Sequence, residues 1–203
     1  MKMVLLISGK KRHGKNQAAI FFKEAFKKHN ITAEQFAFAD SVKDVVARDF
    51  RYFTYEHLYG DKKEVLIPEY KKTCREVMQF VGEFYRTVEP NYWVNILKEK
   101  LTRLMYKQQF DVAMITDCRY PNEMDWDGFK CYSPLSAEIV CPVIEAIRIN
   151  RAIEDANDLH SSEVSLDDYD FKRVIFNSGT LEDFKVSVEQ MTEDMVKTYF
   201  KES

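Results

Sequence analysis

The chain opens "MKMVLLISGKKRHGKNQAAIFF": a short apolar run, a basic loop bounded by glycines, then a second apolar set at helical spacing. No other stretch restricts the fold as strongly. Met3 to Ser8 is short, continuous, apolar and ended by a glycine, so it reads as a buried strand. Beyond the loop, Ala18, Phe21, Phe22, Ala25 and Phe26 recur with the period of an amphipathic helix. Between the two, Lys10, Lys11, Arg12, His13 and Lys15 crowd one turn. That much positive potential repels itself unless an anion shares the space.

Gly9 through Lys15 matches the spacing GxxxxGK. Gly9 and Gly14 permit backbone angles that other residues resist. Backbone N–H groups then converge on phosphate oxygens, helped by the positive end of the helix that follows. Lys15 is placed to reach the β and γ phosphates of a nucleoside triphosphate. Lys10, Arg12 and His13 surround it, and Asn16 and Gln17 open the helix. Asn16 stands where Ser or Thr normally offers a hydroxyl to Mg²⁺. An amide oxygen also ligates Mg²⁺, more weakly than a carboxylate does. The loop therefore points to a nucleoside triphosphate, with a metal shell that departs from the usual pattern.

A second signature, "MITDCRYPNE", is an apolar strand ending in Asp117. Ligands of open α/β sheets bind at the carboxyl ends of strands. Asp117 is thus a candidate for the metal shell, with Asn16, and Arg119 a candidate phosphate ligand. Asn122 and Glu123 read equally well as the start of a helix. Arg148 and Arg151 close a later strand, where arginines of phosphoryl-transfer enzymes neutralise the transferring group. The polar stretch at about 150–166 reads either as a lid or as a surface loop. His160, Ser162 and Glu163 within it read as surface or capping residues.

In "EYKKTCREVMQFVGEFYRTVEPNYW" one helical face collects Tyr70, Cys74, Val77, Met78, Val81 and Tyr85. Arg75, Gln79, Gly82 and Arg86 share a second face, spaced four, three and four apart. Gly82 in mid-helix costs roughly 1 kcal/mol relative to Ala, so its presence needs a reason. Two arginines, an amide and a gap make a surface that suits an anionic, hydrogen-bonding ligand. Tyr85, Tyr92, Trp93 and Tyr120 are aromatic candidates for a nucleobase, or for the core.

Alternation of these segments predicts an α/β fold of the P-loop type. It has a parallel sheet of about five strands, helices on both faces and a small lid. The strands fall at Met3–Ser8, Gln35–Ala39, Phe110–Thr116, Val143–Ile149 and Arg173–Phe176. Helices are expected over Ser41–Phe50, Tyr70–Arg86, Tyr92–Tyr106 and from Thr180 onward, where Asp183 completes a capping box. With 203 residues, one domain spanning 1–203 is expected, with acceptor-binding helices at about 60–108.

Composition narrows the function classes. Hydrophobic content of 45% and charged content of 31% fit a globular chain and not a disordered one. A net charge of −3 argues against a nucleic-acid polymer as partner. The apolar run at Val4–Ile7 is too short for a signal peptide or a membrane span, so a cytoplasmic protein without a membrane partner is expected. Cys74, Cys118, Cys131 and Cys141 show no CxxC spacing, so they read as free thiols and not a zinc site.

Taken in order, "SGKKRHGK", "FADSVKD", "REVMQFVG", "NYWV", "ITDCRYPNEMD", "HSSE" and "VIFNSGTLEDF" resemble the P-loop deoxynucleoside monophosphate kinases encoded by bacteriophages. That family is related to animal-type phosphomevalonate kinases. The likeness covers nearly the whole chain, and the order of the pieces carries it. It implies transfer of the ATP γ-phosphoryl group, with Mg²⁺, to the 5′-phosphate of a deoxynucleoside monophosphate in the cytoplasm of a phage's host. It implies that Gly9 to Asn16 hold ATP phosphates and that Lys43, Arg75 and Arg86 face the acceptor. Asp117 and Arg119 would lie at the reaction centre, and Asn177, Gly179 and Thr180 beside the adenine. An aspartate is common in the family at the position of Asn16.

Three other readings stand beside this one. A kinase for phosphomevalonate or dephospho-coenzyme A has the same donor chemistry. A GTPase switch lacks its base-reading NKxD here. A non-catalytic nucleotide-binding module is disfavoured by Lys15, Asp117 and Arg119 occurring together. Nothing in the sequence decides between a monomer and a homodimer.

Overall fold

The computed structural model describes residues 1–107, 109–132, 139–151 and 164–200. The chain divides into two compact units, Met1–Phe36 with Lys98–Ser203, and Ala37–Leu97.

The first unit is built on a sheet of five parallel strands in the order β2-β5-β1-β8-β9. These are β1 (Met3–Ser8), β2 (Ala33–Phe36), β5 (Val112–Cys118), β8 (Val143–Asn150) and β9 (Arg173–Phe176). β1 is central, and every one of its residues is buried. That is why it reads as an unbroken apolar run and not an alternation. On one face Met3, Leu5 and Ile7 join Val112, Met114, Ile147, Ile149 and Ile175. Helix α1 (Lys15–Lys28) contributes Ala18, Phe22 and Phe26 there. The last helix, α6 (Leu181–Tyr199), contributes Phe184, Val188 and Met195. The alternate residues Val4, Leu6, Ala113 and Ile115 are buried on the other face. Each large side chain so buried contributes roughly 1.5–3 kcal/mol.

Strand β2 begins at Ala33 where the sequence suggests Gln35, and β5 runs on to Cys118. Ala33 pairs with Val112 and Phe36 with Ile115, so the edge strand follows the register of its neighbour and not its own hydrophobicity. A two-stranded antiparallel sheet, β6 (Cys131–Tyr132) with β7 (Ile139–Val140), is separate from the main sheet. Of the lid suggested at about 150–166, residues 152–163 lie outside the described residues, His160, Ser162 and Glu163 among them.

The second unit holds α2 (Phe38–Asp49), α3 (Tyr55–Leu58), a 3₁₀ turn (Asp61–Glu64), the hairpin β3 (Leu66–Ile67) with β4 (Lys72–Thr73), α4 (Cys74–Val88) and the start of α5 (Tyr92–Tyr106). Helix α4 starts at Cys74, four residues later than periodicity suggests. Lys71 has φ +51°, so the chain reverses there and pairs as a hairpin first. Thr73 then caps the helix: its hydroxyl accepts from the Glu76 amide at 3.2 Å, and the Glu76 carboxylate accepts from the Thr73 amide at 2.8 Å. Rings of Phe50, Phe53 and Tyr70 pack together in this unit, with centroids 5.2–6.2 Å apart.

Candidate functional site

The carboxyl ends of β5, β1 and β8 lie side by side, and the basic loop leaves from the middle one. Gly9 has φ +147° and Gly14 φ +99°, conformations that side chains oppose. Arg12 also adopts positive φ, +63°, at a cost of roughly 1–2 kcal/mol for a residue with a Cβ. The His13 amide donates to the Lys10 carbonyl at 3.2 Å, closing a turn. Helix α1 then starts at Lys15 with Gly14 as its N-cap. Gly14 has no side chain to cap the helix, and its first turn carries no acidic residue. Such a terminus presents backbone N–H groups and a positive dipole end to an anion. Lys15 donates to the carbonyls of Gly9 and Lys10, the latter at 2.8 Å, so its ammonium is held over the loop.

On the β5 side stand Thr116, Asp117 and Arg119. Gln35 of β2 donates to the Thr116 hydroxyl at 3.0 Å and lies 3.5 Å from the Asn16 amide oxygen. The first turn of α1, β2 and the end of β5 thus share one polar cluster. The turn after β5 is held by Glu123, which is buried and accepts from the backbone amides of Arg119 at 2.7 Å and Tyr120 at 3.1 Å. Its own carbonyl accepts from the Trp126 indole at 2.9 Å. Glu123 therefore fixes the backbone from which the Arg119 side chain leaves, the helix-start reading of that residue. Burial pushes the Cys118 thiol well up, and Glu123, Asp117 and Lys15 all act on it electrostatically, so these charges gather around the strand end.

On the β8 side the sequence reading assigns Arg148 and Arg151 to a transferring phosphoryl group. Arg148 is 11% exposed at its side chain and engaged at all three nitrogens. Nε donates to Asn150 at 3.3 Å, Nη1 to the Leu166 carbonyl at 2.7 Å, and Nη2 to Asp167 at 2.5 Å. It also lies over the Phe171 ring, 5.5 Å from the centroid. In this structure it anchors the segment that carries Asp167. The Arg151 amide lies 3.3 Å from His13 Nδ1, which also lies 3.1 Å from the Ile149 carbonyl oxygen. Desolvation holds the His13 pKa below its usual value, and the cations Lys15, Arg148 and Lys10 add to this against the Ile149 bond. Asn177 donates its side-chain amide to the His13 carbonyl at 3.0 Å, and its own amide donates to the Asn150 carbonyl at 2.7 Å. So the segment expected beside an adenine touches the phosphate loop through Asn177. Gly179 and Thr180 follow it, with Thr180 capping α6.

Mg²⁺ is held by one or two carboxylates together with substrate phosphates and water, and not by a cage of protein ligands. The sequence reading assigns Asp117 and Asn16 to such a set, and Gln35 lies within reach of both the Asn16 amide oxygen and the hydroxyl of Thr116, the residue before Asp117. Among the described residues no cluster of three His, Cys, Asp or Glu could hold a metal on its own.

The residues assigned to an acceptor lie in the second unit. Lys43 is 13% exposed at its side chain, pairs with Asp40 at 2.8 Å and sits 4.5 Å from the Tyr59 ring centroid. Arg75 pairs with Glu64 on the surface, and Gln79 is exposed. Gly82 is buried, and a Cβ there would lie 3.4 Å from Arg86 Nη1, so the guanidinium packs over the gap. Trp93 corrects the sequence reading. It is 1% exposed, its indole donates to the Gly82 carbonyl at 3.1 Å, and its ring packs on Tyr85 and Tyr92. It is a core residue that props α4, not a surface for a base. Gln35, Thr116 and Asp167 carry no local sequence signal, because their partners are far away in the chain.

A family model described as deoxynucleotide monophosphate kinase matches residues 47–188. The chain belongs to the deoxynucleotide monophosphate kinase family. The match takes in about 70% of the chain, including α4, Asp117, Arg119 and Arg148. It does not include the glycine loop, so the loop geometry is a separate observation pointing to phosphoryl transfer. Both agree on a kinase. No curated protein matches the sequence. Among solved structures, the dephospho-CoA kinase from Campylobacter jejuni is similar over 97% of this chain and 98% of its own, at 13% identity and a TM-score of 0.48. A likeness at that level decides nothing about this family member's substrate. No helix among the described residues is long and apolar enough to cross a membrane.

Proposed function

We propose that this kinase transfers the γ-phosphoryl group of ATP to the 5′-phosphate of a deoxynucleoside monophosphate, as the phage-encoded enzymes it resembles do. The family match, joined to a phosphate loop that lies outside the matched residues, is the observation that carries the reading. Gly9 to Gln17 take the polyphosphate of ATP: backbone amides on the oxygens, Lys15 on the β and γ groups. Asp117 and Asn16 would hold Mg²⁺, which would supply charge neutralisation to the phosphates. Arg119 faces the group in transfer. Lys43, Arg75, Gln79 and Arg86 receive the acceptor.

The chemistry of the acceptor agrees with these residue types. The second pKa of a phosphate monoester is about 6, so the acceptor is mostly dianionic at neutral pH and needs no general base. It needs cations that let two polyanions approach in line, which is positioning and electrostatic work. Arginines and lysines supply it. A sugar hydroxyl as acceptor would demand a carboxylate base instead.

ADP release in the presence of ATP and Mg²⁺ tests the proposal. The panel is dAMP, dGMP, dCMP, dTMP, dUMP, modified pyrimidine monophosphates, phosphomevalonate and dephospho-coenzyme A. Turnover with one or more deoxynucleotides, nearly abolished in a folded Lys15→Ala variant, is the expected result. Turnover with phosphomevalonate or dephospho-coenzyme A alone would move the assignment to that acceptor. ATP binding with no turnover on any of them would make the chain a binding module.

A further inference from the structure

The phosphate loop carries many cations, and an acidic side chain from a distant segment reaches one of them. Asp167 Oδ2 lies 2.8 Å from Lys10 Nζ, and its Oδ1 takes Arg148 Nη2 at 2.5 Å. Its backbone amide donates to the Val164 carbonyl at 3.0 Å. The two halves of this bridge are unequal. Arg148 is nearly buried and fixed by Leu166 and Asn150 as well, so the Arg148 side stays made. Lys10 and Asp167 are 41% and 37% exposed at their side chains, and a pair so exposed to water is weak and readily exchanged.

We propose that Asp167 tunes the phosphate site: it competes with a nucleotide's phosphates for Lys10, and Arg148 holds it in place to do so. This rests on the reading of the loop as a nucleotide site. Lys10 is the loop residue whose carbonyl accepts both the Lys15 ammonium at 2.8 Å and the His13 amide at 3.2 Å. A phosphate that draws the Lys10 side chain inward must take it from a carboxylate of like charge. The carboxylate therefore lowers the grip of the loop on polyphosphate, and it does so electrostatically. The effect must fade as salt shortens the screening length, from about 10 Å at 0.1 M to about 3 Å at 1 M. A kinase gains from a weaker grip because the bound diphosphate must leave after each turnover.

The test is calorimetric titration of the full chain with ADP at low and high salt. Asp167→Asn should bind ADP about three- to ten-fold more tightly than wild type at low salt. The advantage should shrink to under about two-fold at 1 M. Asp167→Glu, which keeps the charge, should restore wild-type affinity, and in a Lys10→Gln background Asp167→Asn should lose most of its effect. Equal affinity and equal salt slope for Asp167→Asn and wild type would overturn the proposal while leaving the nucleotide site intact. No ADP binding by wild type would instead remove the reading on which it rests. Should Asp167→Asn not fold, carbon-detected NMR of wild-type Asp167 decides. Its carboxyl should titrate at higher pH with ADP bound, because Lys10 has been drawn away, and an unmoved midpoint overturns the proposal.

Discussion

A methyl group on Gly9 would lie 2.5 Å from the carbonyl oxygen of Ile149, so the phosphate loop and the end of β8 touch backbone to backbone. Two costs follow for Gly9→Ala. The φ of +147° strains any residue with a Cβ, and the carbonyl cannot rotate aside without breaking the parallel ladder in which Ile149 sits. Strain and overpacking together cost roughly 2–5 kcal/mol. We expect a large drop in melting temperature together with loss of ATP binding. A variant that melts like wild type would show that the loop is not tied to β8 in this way.

His13 supplies a pH dependence whose sign is fixed by its surroundings. Burial, seconded by Lys15, Arg148 and Lys10, lowers its pKa from the usual 6.5, so the folded protein binds its proton less well than the unfolded chain does. Stability is therefore complete above the unfolded value and falls as pH drops through 6.5 toward the lower folded value. Replacement by Gln removes the titration and keeps a polar side chain. Thermal melts between pH 5 and 7.5 should show a shallower loss for His13→Gln than for wild type. Parallel curves would mean that His13 is not held neutral.

The strand, glycine loop and helix at the start of the chain were legible because each has a local cause: an apolar run, two glycines and a 3.6-residue period. The same holds for α6, whose capping box of Thr180 and Asp183 marks its start. The start of α4 was hidden by Tyr70, which fits the helical stripe yet belongs to a turn. The Thr73-x-x-Glu76 box was the better signal there. Trp93 shows a further limit. An aromatic residue between two helices suits a ligand or a core equally well, and only burial separates the two. Asp167 was not legible at all. "SLDDYD" offers several carboxylates, and which of them meets Lys10 depends on how β8 and the loop come together.

The four cysteines should differ sharply in reactivity. Cys74, Cys118 and Cys131 are buried, while Cys141 is exposed. Desolvation pushes the Cys131 thiol up to about 11, and it raises Cys74 and Cys118 too, so little thiolate exists at neutral pH. A thiol reagent such as Ellman's should label Cys141 quickly in the native protein and reach the other three only in denaturant. Mass spectrometry of the labelled peptides checks this, and fast native labelling of Cys118 would contradict the packing around the end of β5.

Gly82 poses the sharpest choice between stability and function. It sits in the middle of α4, where glycine costs roughly 1 kcal/mol against alanine. Its carbonyl accepts from the Trp93 indole, and replacing hydrogen by methyl leaves that bond alone. The added Cβ would meet Arg86 Nη1 at 3.4 Å, an ordinary contact at the far end of a flexible side chain. Gly82→Ala should therefore stabilise the protein by up to about 1 kcal/mol, raising the melting temperature by roughly 2–4 °C for a chain of this size. If the gap exists so that Arg86 can fold across the helix toward an acceptor phosphate, the same change should raise the acceptor KM and leave the ATP KM unmoved. Greater stability with unchanged acceptor KM would mean that the guanidinium position is not used in binding. Lower stability would mean that the helix packs more closely at Gly82 than the Arg86 contact suggests.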